Sequence, residues 1–214
     1  MSEKRSSAFD PEAPNEARAL IFREVEDRDL VAKASRGSVD AYNLLVSRWE
    51  KRVFNYILRL VRNREDALDL SQDVFLKAYQ NLGKLDDAAR FAPWLYRIAH
   101  NESFSLLRRK RPDGEELPGD GDSDAVAAGL PHSGPRFGST AMQPVETSIA
   151  VARAMERLNE EQREAVVLKI YEGFKFEEMA EVLGCPVSTV KSRLYTALDL
   201  LKEVLAPVVA RDKV

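Results

Sequence analysis

Residues 176–203 read FEEMAEVLGCPVSTVKSRLYTALDLLKE, a pattern that predicts two short helices joined by a tight turn. Apolar residues three and four apart mark one face of the first helix. The Gly184-Cys185-Pro186 segment ends that helix, because glycine is flexible and proline lacks an amide donor. Ser188 offers an N-cap oxygen for the second helix. The stretch therefore predicts a helix-turn-helix, whose second helix has an apolar face made of Val190, Leu194, Leu198 and Leu201.

The second of these helices begins with polar side chains. In a helix-turn-helix, the first residues of the second helix face the base edges of the DNA major groove. The donors and acceptors expected there are Ser188, Thr189, Lys191, Ser192, Arg193 and Tyr195. An ordinary helical hairpin with a solvated outer face is the alternative. The coincidence of a short turn, a cap and a donor-rich helix start favours DNA binding.

The composition limits the classes of protein to consider. A chain of 214 residues with 44% hydrophobic and 31% charged residues fits one large domain or two small helical ones. No apolar run is long enough to span a bilayer, and the first residues lack the apolar core of a signal peptide. One cysteine, Cys185, excludes an internal disulfide, and its place at the turn favours packing over redox sensing. We expect a cytoplasmic protein.

The sequence offers no sign of catalytic chemistry. Two histidines, His100 and His132, leave little material for a metal site or a catalytic triad. A phosphate-binding glycine loop and a nucleophile–base pattern are both lacking from the sequence. We therefore expect a protein that is not an enzyme and that has no cofactor.

Charge is unevenly distributed along the chain. The net charge is −3, yet residues 28–111 hold 17 Lys and Arg against 10 Asp and Glu. The run Arg108-Arg109-Lys110-Arg111 closes this basic block and exceeds what the negative end of a helix needs. Phosphate binding is the function that such a run indicates.

Helical periodicity predicts an all-α fold of two small domains. In residues 28–111, apolar repeats predict helices broken at Gly37 and at Asn63, with Pro93 in the first turn of the last one. In residues 146–206, Asn159 and Gln162 form a capping-box pattern. The apolar residues Ala165, Val166, Leu168, Ile170 and Tyr171 continue that helix to Gly173.

The segments outside these domains differ in composition. Residues 112–145 hold five of the ten prolines and six of the ten glycines, which predicts a flexible acidic linker. Residues 1–27 form an N-terminal extension, in which 15–26 suggest a short helix, and 207–214 form a C-terminal tail. The aromatic residues Phe91, Trp94 and Tyr96 are expected in the core of the first domain.

Three stretches, in this order, resemble a known family. They are REDALDLSQDVFLKAYQNL at 64–82, FAPWLYRIAHNESFSLLRRKR at 91–111, and LNEEQREAVVLKIYEGFKFEEMAEVLGCPVSTVKSRL at 158–194. The chain resembles a bacterial extracytoplasmic-function (ECF) sigma factor, the smallest kind of the sigma-70 family. The resemblance implies that it binds core RNA polymerase, recognises promoter DNA and opens it at the −10 element. An anti-sigma factor is a further partner that the resemblance implies.

The resemblance also assigns residues to three interfaces. The polymerase interface comprises Asp66, Asp69, Leu70, Gln72, Asp73, Phe75 and Leu76. The −10 interface, which binds the melted non-template strand, comprises Lys77, Asn81, Leu85, Asn101, Ser105, Arg108, Arg109, Lys110 and Arg111. The −35 interface, which binds duplex DNA, comprises Ser188, Thr189, Lys191, Ser192, Arg193, Tyr195 and Thr196.

Three positions depart from the family pattern. An aromatic residue is usual at Leu85, a carboxylate or amide at Ser105, and an arginine at Thr196. Because threonine cannot make a bidentate contact with guanine, we predict weaker or altered −35 recognition.

One alternative is a conventional helix-turn-helix regulator that binds duplex DNA as a dimer. Such a regulator would place an apolar dimer surface, rather than a basic helix followed by a long linker, between its two halves.

Overall fold

The computed structural model describes residues 25–110 and 145–211. Most of the N-terminal extension, residues 111–144, which include Arg111 and His132, and the last three residues lie outside the described part. Val145, which was predicted to end the linker, instead begins a helix. Every regular element within it is helical, as predicted. The chain divides into two compact units between Glu102 and Ser103.

Among its described residues, the first unit contains four α-helices and two single 3₁₀ turns. These elements are α1 (Asp27–Ala34), α2 (Val39–Val61), α3 (Arg64–Asn81), the 3₁₀ turns Leu82–Lys84 and Ala88–Arg90, and α4 (Phe91–Lys110), which continues past the division. Gly37 takes a φ of +95°, a left-handed conformation that costs glycine little, at the predicted break between α1 and α2.

The connection between α2 and α3 corrects one prediction. We expected Asn63 to end α2, but Arg62 does so, in a left-handed conformation with φ 57°. Asn63 instead begins the next helix, because its side-chain Oδ1 accepts a hydrogen bond of 3.1 Å from the Asp66 amide. A short amide side chain favours the cap of a following helix over the end of a preceding one.

Aromatic rings hold α4 against α2. The Tyr56 and Tyr96 ring centroids are 4.9 Å apart, and Trp49 meets Phe91 edge-on at 6.2 Å. The predicted burial of Phe91 and Tyr96 is confirmed. Trp94 is only half-buried, since it lies on the flank of this face beside Phe91.

The second unit is built around one long helix. Its described elements after α4 are α5 (Val145–Glu156), α6 (Glu160–Val166), a π-helical turn (Val167–Tyr171), α7 (Phe176–Leu183) and α8 (Val187–Arg211). The predicted capping box is confirmed, since Asn159 Oδ1 accepts from the Gln162 amide at 2.8 Å and the Asn159 amide donates to Gln162 Oε1 at 3.2 Å. Arg163 closes the end of α5 by donating to the Leu158 carbonyl at 2.6 Å and the Met155 carbonyl at 3.3 Å.

The chain stays helical from α6 to Tyr171 and breaks at Gly173, as expected, but the geometry of its last turn differs from the expectation. The backbone widens into a π turn, in which the Glu172 amide donates to the Val167 carbonyl at 3.1 Å. A π turn inserts a residue into the helical repeat and rotates the side chains that follow. Ile170 and Tyr171 are therefore exposed instead of continuing the apolar face, and 61% of Ile170 is accessible to solvent.

The start of α8 also differs from the prediction. The helix begins at Val187, and the Val190 amide donates to the Pro186 carbonyl at 3.1 Å. Ser188 therefore lies inside the first turn and is not the N-cap. This leaves its hydroxyl at the exposed start of the helix.

Within residues 25–110 and 145–211, no helix combines the length and the apolar character that crossing a membrane requires.

Candidate functional site

The outward face of α3 mixes apolar and acidic side chains. Residues three, four and seven positions apart lie on one side of a helix. On this side the exposed residues are Leu68, Asp69, Gln72, Asp73, Leu76 and Tyr79, and Leu76 is 56% exposed. We call these six residues the α3 face. Apolar groups flanked by carboxylates can bind a basic, amphipathic helix.

One residue assigned to this interface belongs to the core. Leu70 is only 6% exposed and lies on the buried side of α3 with Ala67, Val74 and Ala78. It cannot touch a partner while this packing holds, so its place in the interface is corrected. Asp66 and Phe75 are half-buried at the edges of the face. Leu68 and Tyr79 are exposed on this face, although the sequence analysis did not assign them to the interface.

A tyrosine of α2 contacts α3 through its hydroxyl and its ring. The Tyr42 hydroxyl donates a hydrogen bond to the Phe75 carbonyl, and its ring centroid lies 4.9 Å from that of Tyr79. Burial raises the pKa of Tyr42 to about 12. The hydroxyl therefore stays protonated as a donor well above neutral pH, and it fixes α3 on α2.

At the end of α3, hydrogen bonds order the segment that leads to α4. Asn81 donates from Nδ2 to the Lys77 carbonyl at 2.8 Å and accepts at Oδ1 from Lys84 Nζ at 2.8 Å. Leu85 is half-buried, and its amide donates to the Leu82 carbonyl at 3.2 Å. Both residues thus belong to a folded turn.

An ion pair joins α3 to α4. Lys77 Nζ lies 2.5 Å from a carboxylate oxygen of Glu102. Asn101, beside Glu102, is exposed. The structure thus brings Lys77 next to the part of α4 that carries Asn101.

The remaining residues assigned to the −10 interface follow along α4. Ser105 is half-buried, and its carbonyl accepts from Arg109 Nε at 3.3 Å. Arg108, Arg109 and Lys110 are exposed at the end of the helix. A row of cations at this position can hold a phosphate backbone.

The start of α8 exposes most of the predicted −35 residues. Ser188, Lys191, Ser192, Tyr195 and Thr196 are exposed, and Thr189 is half-buried. The exposed five occupy one side of the helix, so all of them can face a single DNA groove.

A lysine of this group is held by an aromatic ring of α7. Lys191 Nζ lies 5.3 Å from the centroid of the Phe176 ring, which Lys169 Nζ also approaches to 4.8 Å. An aromatic face attracts cations at such distances. Phe176 therefore concentrates positive charge beside the exposed side of α8, a feature that the sequence analysis did not identify.

Arg193 differs from the other predicted −35 residues. Its Nη2 lies 2.7 Å from Glu161 Oε1, and its Nη1 donates to Cys185 Sγ at 3.8 Å. Burial raises the pKa of the Cys185 thiol, while the Arg193 charge opposes this shift. The arginine thus connects α8 with the start of α6 and with the turn.

Comparison with known proteins identifies the family. Residues 45–112 match the family "Sigma-70 region 2", and residues 148–201 match "Sigma-70, region 4". The RNA polymerase sigma-H factor of Pseudomonas aeruginosa is 31% identical over 189 residues, which cover 87% of this chain and 97% of that protein. The chain is an ECF sigma factor of the sigma-70 family. It functions as an alternative sigma factor of RNA polymerase.

A second relative agrees with this identification. The ECF RNA polymerase sigma-E factor of Escherichia coli K12 is 31% identical to this sigma factor over 198 residues, with 89% and 100% of the two chains covered. The two family matches fall on the two helical domains, one on α2 to α4 and the other on α5 to α8.

Solved structures of similar proteins contain a second protein. CnrH in complex with the cytosolic domain of CnrY matches this sigma factor with a TM-score of 0.61, 26% identity and coverage of 85% and 97% of the two chains. The Bartonella quintana sigma factor RpoE, in complex with the anti-sigma factor NepR, matches with a TM-score of 0.58, 25% identity and coverage of 78% and 98%.

In the described part of this sigma factor, His, Cys, Asp and Glu form no group of three or more that could hold a metal ion.

Proposed function

We propose that the α3 face is the surface by which this sigma factor binds core RNA polymerase. The observation that carries the proposal is the exposure of Leu68, Leu76 and Tyr79 among carboxylates, within the region that matches sigma-70 region 2. Exposure of three large apolar groups to water is unfavourable, so a partner that covers them gains binding free energy. The carboxylates of Asp69 and Asp73 favour a partner surface that is positively charged.

Capture of purified bacterial core polymerase on the immobilised sigma factor tests this proposal. Leu76→Asp adds a charge to the centre of the face, and we expect it to abolish capture. Glu50→Gln, a change at an exposed position of α2, is the matched control and should leave capture unchanged. Equal capture by both variants and by the unchanged protein would contradict the proposal.

We further propose that the segment 77–110 binds the non-template strand at the −10 element. Lys77 and the cations at the end of α4 would hold phosphates, while Asn81, Leu85, Asn101 and Ser105 would contact an unstacked base. Unstacking a base costs a few kcal/mol, which contacts to the base edge and cations on the backbone would offset. Arg111 extends the cation row in the sequence but lies outside the described residues.

The −35 element would bind the exposed side of α8. Ser188, Thr189, Lys191, Ser192, Tyr195 and Thr196 supply its donors and acceptors. A dimeric helix-turn-helix regulator is not favoured, because both sigma-70 regions match in order.

An anti-sigma factor is a proposed partner, since CnrH and RpoE were each solved with a second protein, and in the case of RpoE this is an anti-sigma factor. Core polymerase carries out the bond formation in this account, so the sigma factor itself is not an enzyme. The bacterial cytoplasm, where polymerase and chromosome meet, is the proposed compartment.

A further inference from the structure

Arg193 lies beside, and not within, the exposed side of α8. Successive residues of an α-helix are rotated by about 100°. Ser188, Ser192 and Tyr195 mark the centre of the exposed side, and the buried side carries Val190 and Ala197. Arg193 falls between the two sides, and only 25% of its side chain is accessible to solvent.

Both terminal nitrogens of Arg193 have partners inside the domain. Nη2 pairs with Glu161, a residue of the first turn of α6, and Nη1 points to the sulfur of Cys185 in the turn before α8. The guanidinium therefore connects α8 with the start of α6 and with the turn before α8. A bidentate contact with guanine would require both nitrogens, and hence the loss of the Glu161 pair.

We propose that Arg193 and Glu161 are positioning residues, and that their ion pair sets the angle at which α8 is presented to the −35 element. Base recognition then falls to the exposed neighbours of Arg193 on α8. This inference rests on the proposed function of that helix in −35 binding.

The charges on the pair support a positioning role. Glu161 compensates the positive charge of Arg193 at 2.7 Å, so Arg193 adds little to the attraction for phosphates. Lys191, in contrast, is exposed and lies beside Lys169 across the Phe176 ring. On this basis Lys191, and not Arg193, supplies the phosphate contact of this helix.

The competing account makes opposite predictions. If Arg193 reads a base, Glu161 competes with DNA for its guanidinium, and neutralising Glu161 raises promoter affinity. If the ion pair positions α8, neutralising Glu161 lowers promoter affinity as much as replacing Arg193 does.

The test uses full-length protein assembled with core polymerase. The probe is a promoter fragment selected from a random pool by run-off transcription, together with fragments changed at single −35 base pairs. Glu161→Gln, Arg193→Met and the double variant are compared, and thermal melting shows whether each is folded at the assay temperature. Glu161→Gln preserves the size and polarity of the side chain, so it carries the test even where Arg193→Met fails to fold.

We expect each single variant to lower affinity for all fragments by a similar factor, about two- to fivefold, the range for a partly exposed ion pair. The double variant should lose no more than either single one, because both remove the same interaction. Base preference should not change.

Lys191→Met provides the matched control on the same helix. It should reduce the slope of log affinity against log salt concentration by about 0.9, the value for one phosphate contact.

The outcomes separate the two proposals. If Lys191→Met and the changes at the −35 base pairs have no effect on affinity, the proposed −35 function of α8 is wrong. If they act as expected while Glu161→Gln leaves affinity unchanged or raises it, only the positioning role is overturned. Loss of preference at one base pair in Arg193→Met would likewise overturn it.

Discussion

Lys77 and Glu102 form an ion pair that joins α3 to α4, with 2.5 Å between the lysine Nζ and a glutamate oxygen. Lys77 therefore links the two helices and is also a cation of the proposed −10 interface. A DNA phosphate that binds Lys77 competes with the Glu102 carboxylate for its ammonium group.

Neutralising Glu102 should strengthen binding of the −10 strand. In Glu102→Gln, Lys77 keeps its charge without a carboxylate partner, so we expect tighter binding of a −10 non-template oligonucleotide to the holoenzyme. The slope of log affinity against log salt concentration should become steeper by about 0.7 per added phosphate contact.

The free energy of unfolding of Glu102→Gln should fall by no more than about 1 kcal/mol, since the ion pair is partly exposed. Glu65→Gln, at the other end of α3, controls for the change in net charge, and weaker binding by Glu102→Gln alone would refute the prediction.

Two leucines of α3 should respond to alanine in opposite ways. Leu70→Ala removes a buried side chain and should destabilise the first unit by about 2–5 kcal/mol. Leu76→Ala changes an exposed side chain and should shift stability by less than about 0.5 kcal/mol while weakening polymerase binding. Urea unfolding and polymerase capture measure the two effects. A large loss of stability in Leu76→Ala would show that this leucine is part of the core.

Stability should fall at high pH because of Tyr42. Its pKa is raised from 10.0 to about 12, so the folded state binds the hydroxyl proton more tightly than the unfolded state does. The stabilisation is complete below about pH 10 and is lost as the pH rises to about 12. Urea unfolding should show the free energy of unfolding falling by about 1 kcal/mol between pH 9 and pH 11 from this group.

A phenylalanine variant measures the contribution of the Tyr42 hydroxyl to stability. Tyr42→Phe should be less stable at neutral pH by about 0.5–1.5 kcal/mol, because it lacks the hydrogen bond to the Phe75 carbonyl, but its stability should fall less between pH 9 and pH 11. Identical pH dependence in Tyr42→Phe and in the unchanged protein would refute the assignment.

An arginine at position 196 should sharpen −35 recognition. Thr196 is exposed on the same side of α8 as Ser192, so Thr196→Arg places a guanidinium toward the groove. We expect a gain of about 1–3 kcal/mol in discrimination for a −35 sequence with guanine at the contacted position. Thr196→Lys adds the same charge without the planar fork and serves as the control. A uniform gain for all −35 sequences in both variants would show that only charge had been added.

The parts of the fold with local, periodic signals were predictable from the sequence. The apolar repeat gave the helices of both domains, and Asn159 with Gln162 gave the start of α6, because caps act between residues close in the chain. The π turn was not predictable, since its sequence continues an ordinary apolar repeat through Ile170 and Tyr171. The exposure of Leu68 was missed for a related reason, because Leu68 and Leu70 belong to the same apolar pattern and differ only in the side of α3 they occupy.

The ion pairs were beyond sequence analysis for a different reason. Glu161 and Arg193 belong to separate helices, and long charged side chains on a surface follow no repeat that would reveal their partners. The resemblance to ECF sigma factors could place Arg193 on α8 but not show what it contacts. The same holds for Lys77 and Glu102, whose partnership depends on how α4 packs against α3.

Run-off transcription with purified bacterial core polymerase tests the central claim most directly. A pool of random DNA fragments would be transcribed with and without this sigma factor, and the transcripts sequenced. The account predicts specific transcripts that appear only with the sigma factor and whose templates share a −35 block and a −10 block. If the protein binds duplex DNA but leaves the set of transcripts unchanged, the claim that it directs polymerase to promoters is wrong.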